Sequence, residues 1–406
     1  MKKAWTETTV GSIADAVMGQ SPPSSTYNSI GDGLPFFQGK ADFTSLNPVP
    51  SKWCTKPLRR ASRNDVLISV RAPVGDVNMS SSDCCIGRGL SALSCKSDAS
   101  PFFLFFFLLS SKEELQRHGT GTTFQSINKK VLEQLAISLP PLPEQKKIAA
   151  VLLKIQRAIE TQEKIIQSVR DLKKSTMQHL FTHGLRGEKT KMTEIGEIPE
   201  SWEVVTLGSC CEFLSGGTPS KSRADFWGVP IPWASPKDMK QERLSDTQDH
   251  ITDAGLKDGS RLAPAGSLFV VVRGMVLAKD VPVSLTEVPM AFNQDMKAVL
   301  AGDDMDAKYL LYAMQAFKYL LSQNVGRSAH GTRTILSSTL SEFRIPRPWR
   351  PEQRRIANGL SILEEKVIVH SSKKSALQDL FKTTLNKLMT GRIRVQDLNI
   401  DVIEVD

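Results

Sequence analysis

Cysteine is scarce in this chain of 406 residues, and what there is stands in the wrong places for chemistry. The six are Cys54, Cys84, Cys85, Cys95, Cys210 and Cys211. Adjacent pairs and long gaps do not match the CxxC spacing of zinc sites, so the reading is a reduced, cytoplasmic protein with incidental thiols. Long apolar runs are missing too. The longest, FFLFFFLL at 102–109, is far short of the ~20 residues that span a bilayer. It reads as a buried helix. The opening MKKAWTETTV has no apolar stretch of the signal-peptide kind, and no membrane partner is expected. His179 and His183 stand four apart but have no third ligand nearby, so no metal is expected.

Catalytic signatures are equally thin. There is no Asp/Asn/Ser-Pro-Pro-aromatic loop of an amino-methyltransferase and no glycine-rich cofactor loop. GLPFFQGKA at 33–41 fails as a phosphate loop twice: its first glycine is out of place, and Ala41 stands where Ser/Thr must bind magnesium. No GxSxG or HExxH occurs, and no PD…ExK constellation stands out. The chain reads as a binding and organising protein rather than an enzyme.

What is present is charge and repetition. A net charge of +9 and a pI near 9.2 point to a polyanionic partner, with nucleic acid first. PEQKKIAAVL at 143–152 returns as PEQRRIANGL at 351–360, 208 positions later. WTETTVGSI (5–13) matches WEVVTLGSC (202–210), and LPFFQGKAD matches IPWASPKDM. DVLISVRAPVGDV (65–77) matches SLFVVVRGMVLAKDV (267–281), each an apolar run that ends on an arginine. IGRGLSALS matches FNQDMKAVL, and HGTGTTFQSI matches HGTRTILSS. Each repeat is therefore a strand-rich, Gly/Pro-punctuated α+β block followed by a long helix. Pro143 and Pro351 suit the first helical position, with Glu144 and Glu352 in the first turn.

The two helices share one seam. Apolar steps of four and three run through Ile148, Leu152, Ile155, Ile159, Gln162, Ile166, Val169, Lys173, Thr176 and Leu180. The same steps run through Ile356, Leu360, Leu363, Val367, His370, Lys374, Leu377, Phe381, Thr384 and Leu388. That alternation is a coiled-coil seam. An antiparallel, end-to-end pairing sets Gln162 across from Lys374 and Ile166 across from His370, a polar layer that fixes register. Segment 143–187 carries +5 and segment 351–392 carries +4, mostly on a solvated face.

In their order, PPLPEQKKIAAVL, RPWRPEQRRIANGL, DVLISVRAPVGDV, IGRGLSAL, NQDMKAV and MTEIGEIPESWEVVTLGS resemble the specificity subunit of type I restriction-modification systems. The likeness covers nearly the whole chain. It implies two target-recognition domains, each an α/β block that reads one half of a split, asymmetric double-stranded DNA sequence. It implies an antiparallel helix pair as the spacer between them. Two methyltransferase subunits would dock on the pseudo-symmetric halves, and restriction subunits would join them. S-adenosylmethionine, ATP and magnesium would belong to those partners, with no cofactor on this chain. The expected layout is domain 1 at 1–142, helix 143–187, domain 2 at 188–350, helix 351–392 and a tail at 393–406.

Arginine pairs with guanine, Gln and Asn with adenine, and Lys and Thr with phosphate. Loop candidates in the first half are Gln38, Lys40, Arg71, Arg88, Thr120, Thr122 and Gln125. In the second half they are Ser235, Lys237, Arg273, Gln294, Lys297, Thr332 and Arg333. Arg71 and Arg273 have a second reading, as structural arginines paired with a carboxylate. Two other functions compete: an adaptor that joins two protein partners without reading DNA, and a restriction protein with its own nuclease or methylase activity.

Overall fold

A computed structural model describes residues 5–118, 126–327 and 331–395. The chain divides into two compact units, one of residues 1–165 with 370–406 and one of residues 166–369. Each unit contains one block and a part of each long helix.

In the first unit the run VLIS at Val66–Ser69 is buried along its whole length, as a central strand covered on both faces must be. It lies between Leu90–Cys95 and Val77–Met79, with Ala14–Met18 completing a four-stranded antiparallel sheet. A second sheet has the order Tyr27–Asn28, Trp53–Cys54, Leu34–Phe37, Cys84–Ile86, Arg60–Ala61. In it Leu34–Phe37 and Cys84–Ile86 run parallel, and the other neighbours are antiparallel. The apolar run FFLFFFLL forms helix Pro101–Ser110, in which Phe103, Leu104, Phe105, Phe106 and Leu108 are at most 1% exposed. Strand Thr6–Thr9 pairs with Ala136–Leu139, which ties the start of the block to the segment that leads into the long helix.

The second unit repeats this plan. LFVV at Leu268–Val271 lies between Met296–Ala301 and Val283–Thr286, with Cys211–Ser215 at one edge and Arg243–Leu244 at the other. Its second sheet has the order Asp249–Ile251, Trp227–Ala234, Met290–Phe292, Leu262–Ala263, and the middle pair is again parallel. Glu203–Thr206 pairs with Arg344–Arg347 as the matching clasp. Helix Ala307–Gln323 is capped by Asp306, whose Oδ1 accepts from the Tyr309 N–H at 3.0 Å. The blocks are α+β and share the order of their central strands, with one extra edge strand in the second sheet of the first block and in the first sheet of the second.

The long helices are Leu142–His183 and Arg350–Met389. They start one residue before the expected 143 and 351, so Pro143 and Pro351 are second rather than first, still where a missing N–H costs nothing. They stop short of 187 and 392 because Gly184 (φ 64°) and Gly391 (φ 66°) turn left-handed just past each end, a conformation that suits glycine. All twenty seam positions are buried or half-buried.

Within each unit the helix segments run antiparallel. In the first, Glu144 meets Arg394 while Glu163 meets Lys374. In the second, Lys173 meets Glu364 while the Leu185 N–H meets Glu352. The polar layer differs in detail from the expected Gln162–Lys374 pair. Gln162 Oε1 bonds His370 Nδ1 at 2.8 Å, and Lys374 reaches sideways to Glu163 at 2.8 Å. A compact ring fills the seam, whereas a long lysine stem carries its charge to the half-wet flank.

The helix-to-block junctions are chemically different in the two units. Phe381 and Lys173 are the same seam position 208 apart, and Phe106 and Tyr312 are each the sixth residue of their helix. In the first unit Phe106 and Phe381 are in ring contact at 6.0 Å. In the second, the Lys173 ammonium lies 5.0 Å from the Tyr312 ring and is bonded to Glu242. Tyr312 donates to Glu364 at 2.6 Å, and Arg243 donates to the same carboxylate at 3.0 Å and to Ser361 at 3.0 Å. Burial first, then the Glu364 carboxylate, pushes the Tyr312 hydroxyl upward.

The PEQ motif roots each helix. Gln145 and Gln353 have no exposed surface. Gln145 Oε1 accepts from the Ser100 N–H at 2.8 Å, and its amide donates to the Asp98 and Pro140 carbonyls at 3.0 and 2.8 Å. Gln353 repeats all three bonds with the Asp306 N–H and the Asp304 and Pro348 carbonyls, at 2.8, 3.0 and 2.8 Å. Glu144, 3% exposed, accepts two bonds from the Arg394 guanidinium at 2.6 and 2.8 Å and one from the Trp5 indole at 3.3 Å. Glu352 accepts from the Leu185 N–H at 3.2 Å. The glutamate therefore holds the segment that follows the partner helix, and the glutamine holds the block.

Burial pushes the Cys84 thiol up to about 11 and the Cys85 thiol up to about 12. Thiols that keep their protons in the folded state stabilise it fully below their ordinary value of 9.0, and that contribution disappears as pH rises through 11 to 12. The urea midpoint is therefore expected to fall between pH 9 and 11, and Cys84→Ala with Cys85→Ala should flatten that decline. Gln353→Ala removes the partner of the buried Pro348 carbonyl and of two part-buried backbone groups, at about 1–3 kcal/mol for a buried group left unpaired. It should lower the urea midpoint by at least ~2 kcal/mol equivalent with the slope unchanged.

Candidate nucleic-acid interface

A parallel pair of strands delivers two loops to the same end of a sheet. In the first block Gln38 follows Leu34–Phe37 and Arg88 follows Cys84–Ile86, so the two emerge together. The Gly87 N–H donates to the Phe37 carbonyl at 2.8 Å, and the Val70 N–H donates to the Gly89 carbonyl at 2.9 Å, which adds Arg71 to the group. A Cβ on Gly89 would stand 2.3 Å from the Gln38 carbonyl oxygen, so only glycine permits this approach. Arg71 is bridged through its backbone to Ser126. Burial, then Cys54 and Cys85, raises the Tyr27 hydroxyl, while nearby Arg88 and Gln38 pull it back.

The second block builds the same edge from different side chains. The Asn293 N–H donates to the Ala234 carbonyl at 3.0 Å, and the Val272 and Arg273 N–H groups donate to the Asp295 carbonyl at 2.8 and 3.1 Å. Gly274 N–H reaches the Arg333 carbonyl at 3.0 Å, and Arg273 is bridged to Thr334. Ser235, Arg273, Gln294 and Arg333, from four separate stretches of sequence, thus share one edge. Where the first edge has Gln38, Arg88 and Arg71, the second has Ser235, Gln294 and Arg273.

The candidates differ in how free they are. Gln38, Arg71, Arg88 and Arg273 are exposed. Among the described residues neither Arg71 nor Arg273 has a carboxylate partner, so the structural reading of these arginines has no contact behind it. Lys40 Nζ lies 3.0 Å from Asp76 Oδ2, a charge contact without hydrogen-bond alignment, and Asp76 is also bonded to Lys112 at 2.6 Å. Lys237 is paired with Asp249 at 2.6 Å, and Lys297 donates to the Ser215 hydroxyl at 2.6 Å. Gln294 Oε1 accepts from Thr218. Ser235 is 8% exposed, and both its N–H and its hydroxyl are spent on Asp238, so it shapes a turn instead of projecting from a loop. Thr332 and Arg333 are half-buried. Thr120, Thr122 and Gln125 lie outside the described residues.

Sequence reasoning passed over Lys52, Arg59 and Arg60, exposed cations at the start of the short strands Trp53–Cys54 and Arg60–Ala61, which flank Leu34–Phe37 and Cys84–Ile86. The available signal was a basic stretch free of carboxylates. It also took the PEQ carboxamides for helix-start residues, because nothing in a ten-residue match shows what a glutamine is bonded to.

A family model described as the type I restriction modification DNA specificity domain matches residues 2–170 and 199–379, one span per repeat. The chain is 46% identical over 171 residues to the putative type I restriction enzyme MjaX specificity subunit of Methanocaldococcus jannaschii, covering 42% of this chain and 40% of that one. It is 28% identical over 312 residues to the MjaVIII specificity subunit of the same organism, covering 73% and 71%. The alignment thus spans less than half the length of the first relative. The crystal structure of the type I restriction-modification S subunit from M. genitalium superposes with a TM-score of 0.67 at 17% identity, covering 95% of this chain and 96% of that one, a likeness of fold.

Because no carboxylate among the described residues holds their side chains, Arg71→Ala and Arg273→Ala should leave the thermal midpoint within the ~0.5 kcal/mol typical of surface changes. A larger loss in a melting experiment would return these arginines to a structural role.

Proposed function

The chain belongs to the family of type I restriction-modification DNA specificity domains, and from that premise we propose that it is the noncatalytic subunit that reads DNA for a type I restriction-modification complex. One observation carries this reading. The same backbone hydrogen bonds build a polar edge in each block, and the side chains on the two edges differ. A scaffold held constant while its tips vary is what two readers of different half-sequences require, since base edges are told apart by the donors and acceptors offered to them.

In this reading each block meets one half of a split, nonpalindromic target. The half-sites lie on one face of the duplex, about one helical turn or ~34 Å apart. Two methyltransferase subunits use the two pseudo-equivalent halves, and restriction subunits join that assembly. S-adenosylmethionine, ATP and magnesium serve the partners, and the complex works in the cytoplasm. Among the described residues no helix is long and apolar enough to cross a membrane.

The adaptor alternative differs in one observable: it has no sequence preference. The full chain, assembled with its methyltransferase subunits, is to be incubated with a random duplex pool and the bound fraction sequenced. Enrichment of one bipartite, asymmetric sequence is the expected result, matched by the methylated positions in a strain that carries the system. Uniform recovery of the pool supports the adaptor, and identical half-sites overturn the two-reader assignment.

A further inference from the structure

Between residues 43 and 64 the first block carries Lys52, Lys56, Arg59, Arg60 and Arg63 and no carboxylate. The topologically matching stretch of the second block, 240–265, has four cations set among five carboxylates. There Arg243 is paired with Glu364, and just before it Lys237 is paired with Asp249. The five cations of the first block are all exposed, and among the described residues none of their side chains has an ion-pair or hydrogen-bond partner. Five like charges left unneutralised on one small sheet repel one another, a cost that an anionic partner would remove.

Their placement matters more than their number. The sheet order sets strand Trp53–Cys54 outside Leu34–Phe37, and strand Arg60–Ala61 outside Cys84–Ile86. The Phe36 N–H donates to the Lys52 carbonyl at 2.8 Å, and the Ile86 N–H donates to the Arg59 carbonyl at 3.1 Å. Lys52 therefore stands one strand beyond Gln38, and Arg59 one strand beyond Arg88, near the same end of the sheet. Neighbouring strands lie ~4.8 Å apart, so the four tips span ~14 Å. The major groove is about 12 Å wide, with phosphates on both rims.

Resting on the function proposed above, we propose that Lys52 on one side and Arg59 with Arg60 on the other clamp the phosphodiester backbones that border the groove read by Gln38 and Arg88. Lys56 and Arg63 extend the positive field beyond the clamp. At the matching positions the second block has Asp249, Arg261 and Leu262, of which only the exposed Arg261 is a cation, so the first supplies more of the sequence-independent grip, and the two blocks bind DNA unequally.

The test uses the full chain in complex with its methyltransferase subunits and the triple variant Lys52→Ala, Arg59→Ala, Arg60→Ala. Each phosphate contact contributes ~0.9 to the slope of log affinity against log salt. The variant should lose 2 to 3 from that slope, bind ~10–100-fold more weakly at moderate salt and keep the same enriched sequence. The charge-retaining pair Arg59→Lys, Arg60→Lys should keep the slope, which separates charge from fold damage. An unchanged slope in the triple variant overturns the clamp. So does a loss of methyltransferase binding on gel filtration with the slope intact, since an acidic protein surface would then be the partner. A changed sequence preference at constant slope overturns it as well, because base contact would be the role. If the unaltered complex enriches no sequence, the function itself fails; enrichment with an unchanged slope removes the clamp alone.

Discussion

Two buried carboxamides hold the architecture together. Gln145 and Gln353 each satisfy an N–H and two carbonyls where a recognition block meets its long helix, with no exposure to water. Two of those backbone groups precede the block's own helix, at Asp98 and Ser100 or Asp304 and Asp306, and the third, Pro140 or Pro348, leads into the long helix. A block fixed in this way cannot swing on its helix without breaking the two bonds to its own loop. The neighbouring glutamates do the complementary work on the partner helix, through Arg394 in one unit and the Leu185 N–H in the other. One three-residue motif thus couples loop, block, helix and partner helix.

In the proposed reading, the polar edges of the blocks depend on that rigidity. Polar tips discriminate between bases only if their carriers do not move, because a bidentate contact tolerates little displacement. Gln38, Arg88 and Arg71 are carried by backbone bonds between adjacent strands and turns, not by long flexible loops. Side chains at the tips make few contacts inside the fold, so they are open to replacement. Residues one step inward, such as Ile86, Leu90 and Phe292, are fully buried and cannot change as freely.

Much of this was legible in the sequence, and what was not has physical reasons. The repeat, the seam at Ile148 and Ile356, and the buried helix at 101–110 follow from periodicity and apolar content alone. Pairing follows from a matched seam and its antiparallel sense from the family resemblance, but the partner of a polar seam residue depends on side-chain reach. Periodicity set Gln162 against Lys374, and it could not foresee that lysine would turn outward to Glu163 and leave the seam to His370. Among the candidates, Arg71, Arg88 and Arg273 were singled out because glycine or the end of an apolar run marked their loops, and all three are exposed. Ser235 looked equivalent in the alignment, yet a carboxylate three residues on, Asp238, captures it. Lys52 and Arg59 escaped notice because a strand of two residues leaves no periodicity to read, and only strand pairing shows that they border Gln38 and Arg88.

The unequal junctions bear on how such a chain can be rearranged in evolution. Repeats this alike invite recombination, which would copy one half over the other. Duplicating the first half would put the ammonium of a second Lys173 where Phe381 now meets the Phe106 ring, without the carboxylates that hold it in its own unit. Duplicating the second would withdraw that ammonium from Glu242 and Glu364 and offer them a phenyl ring. A buried charge without its counter-ion is among the costlier errors a core can carry. The lineage can therefore trade recognition tips with ease, while its two halves remain left and right gloves.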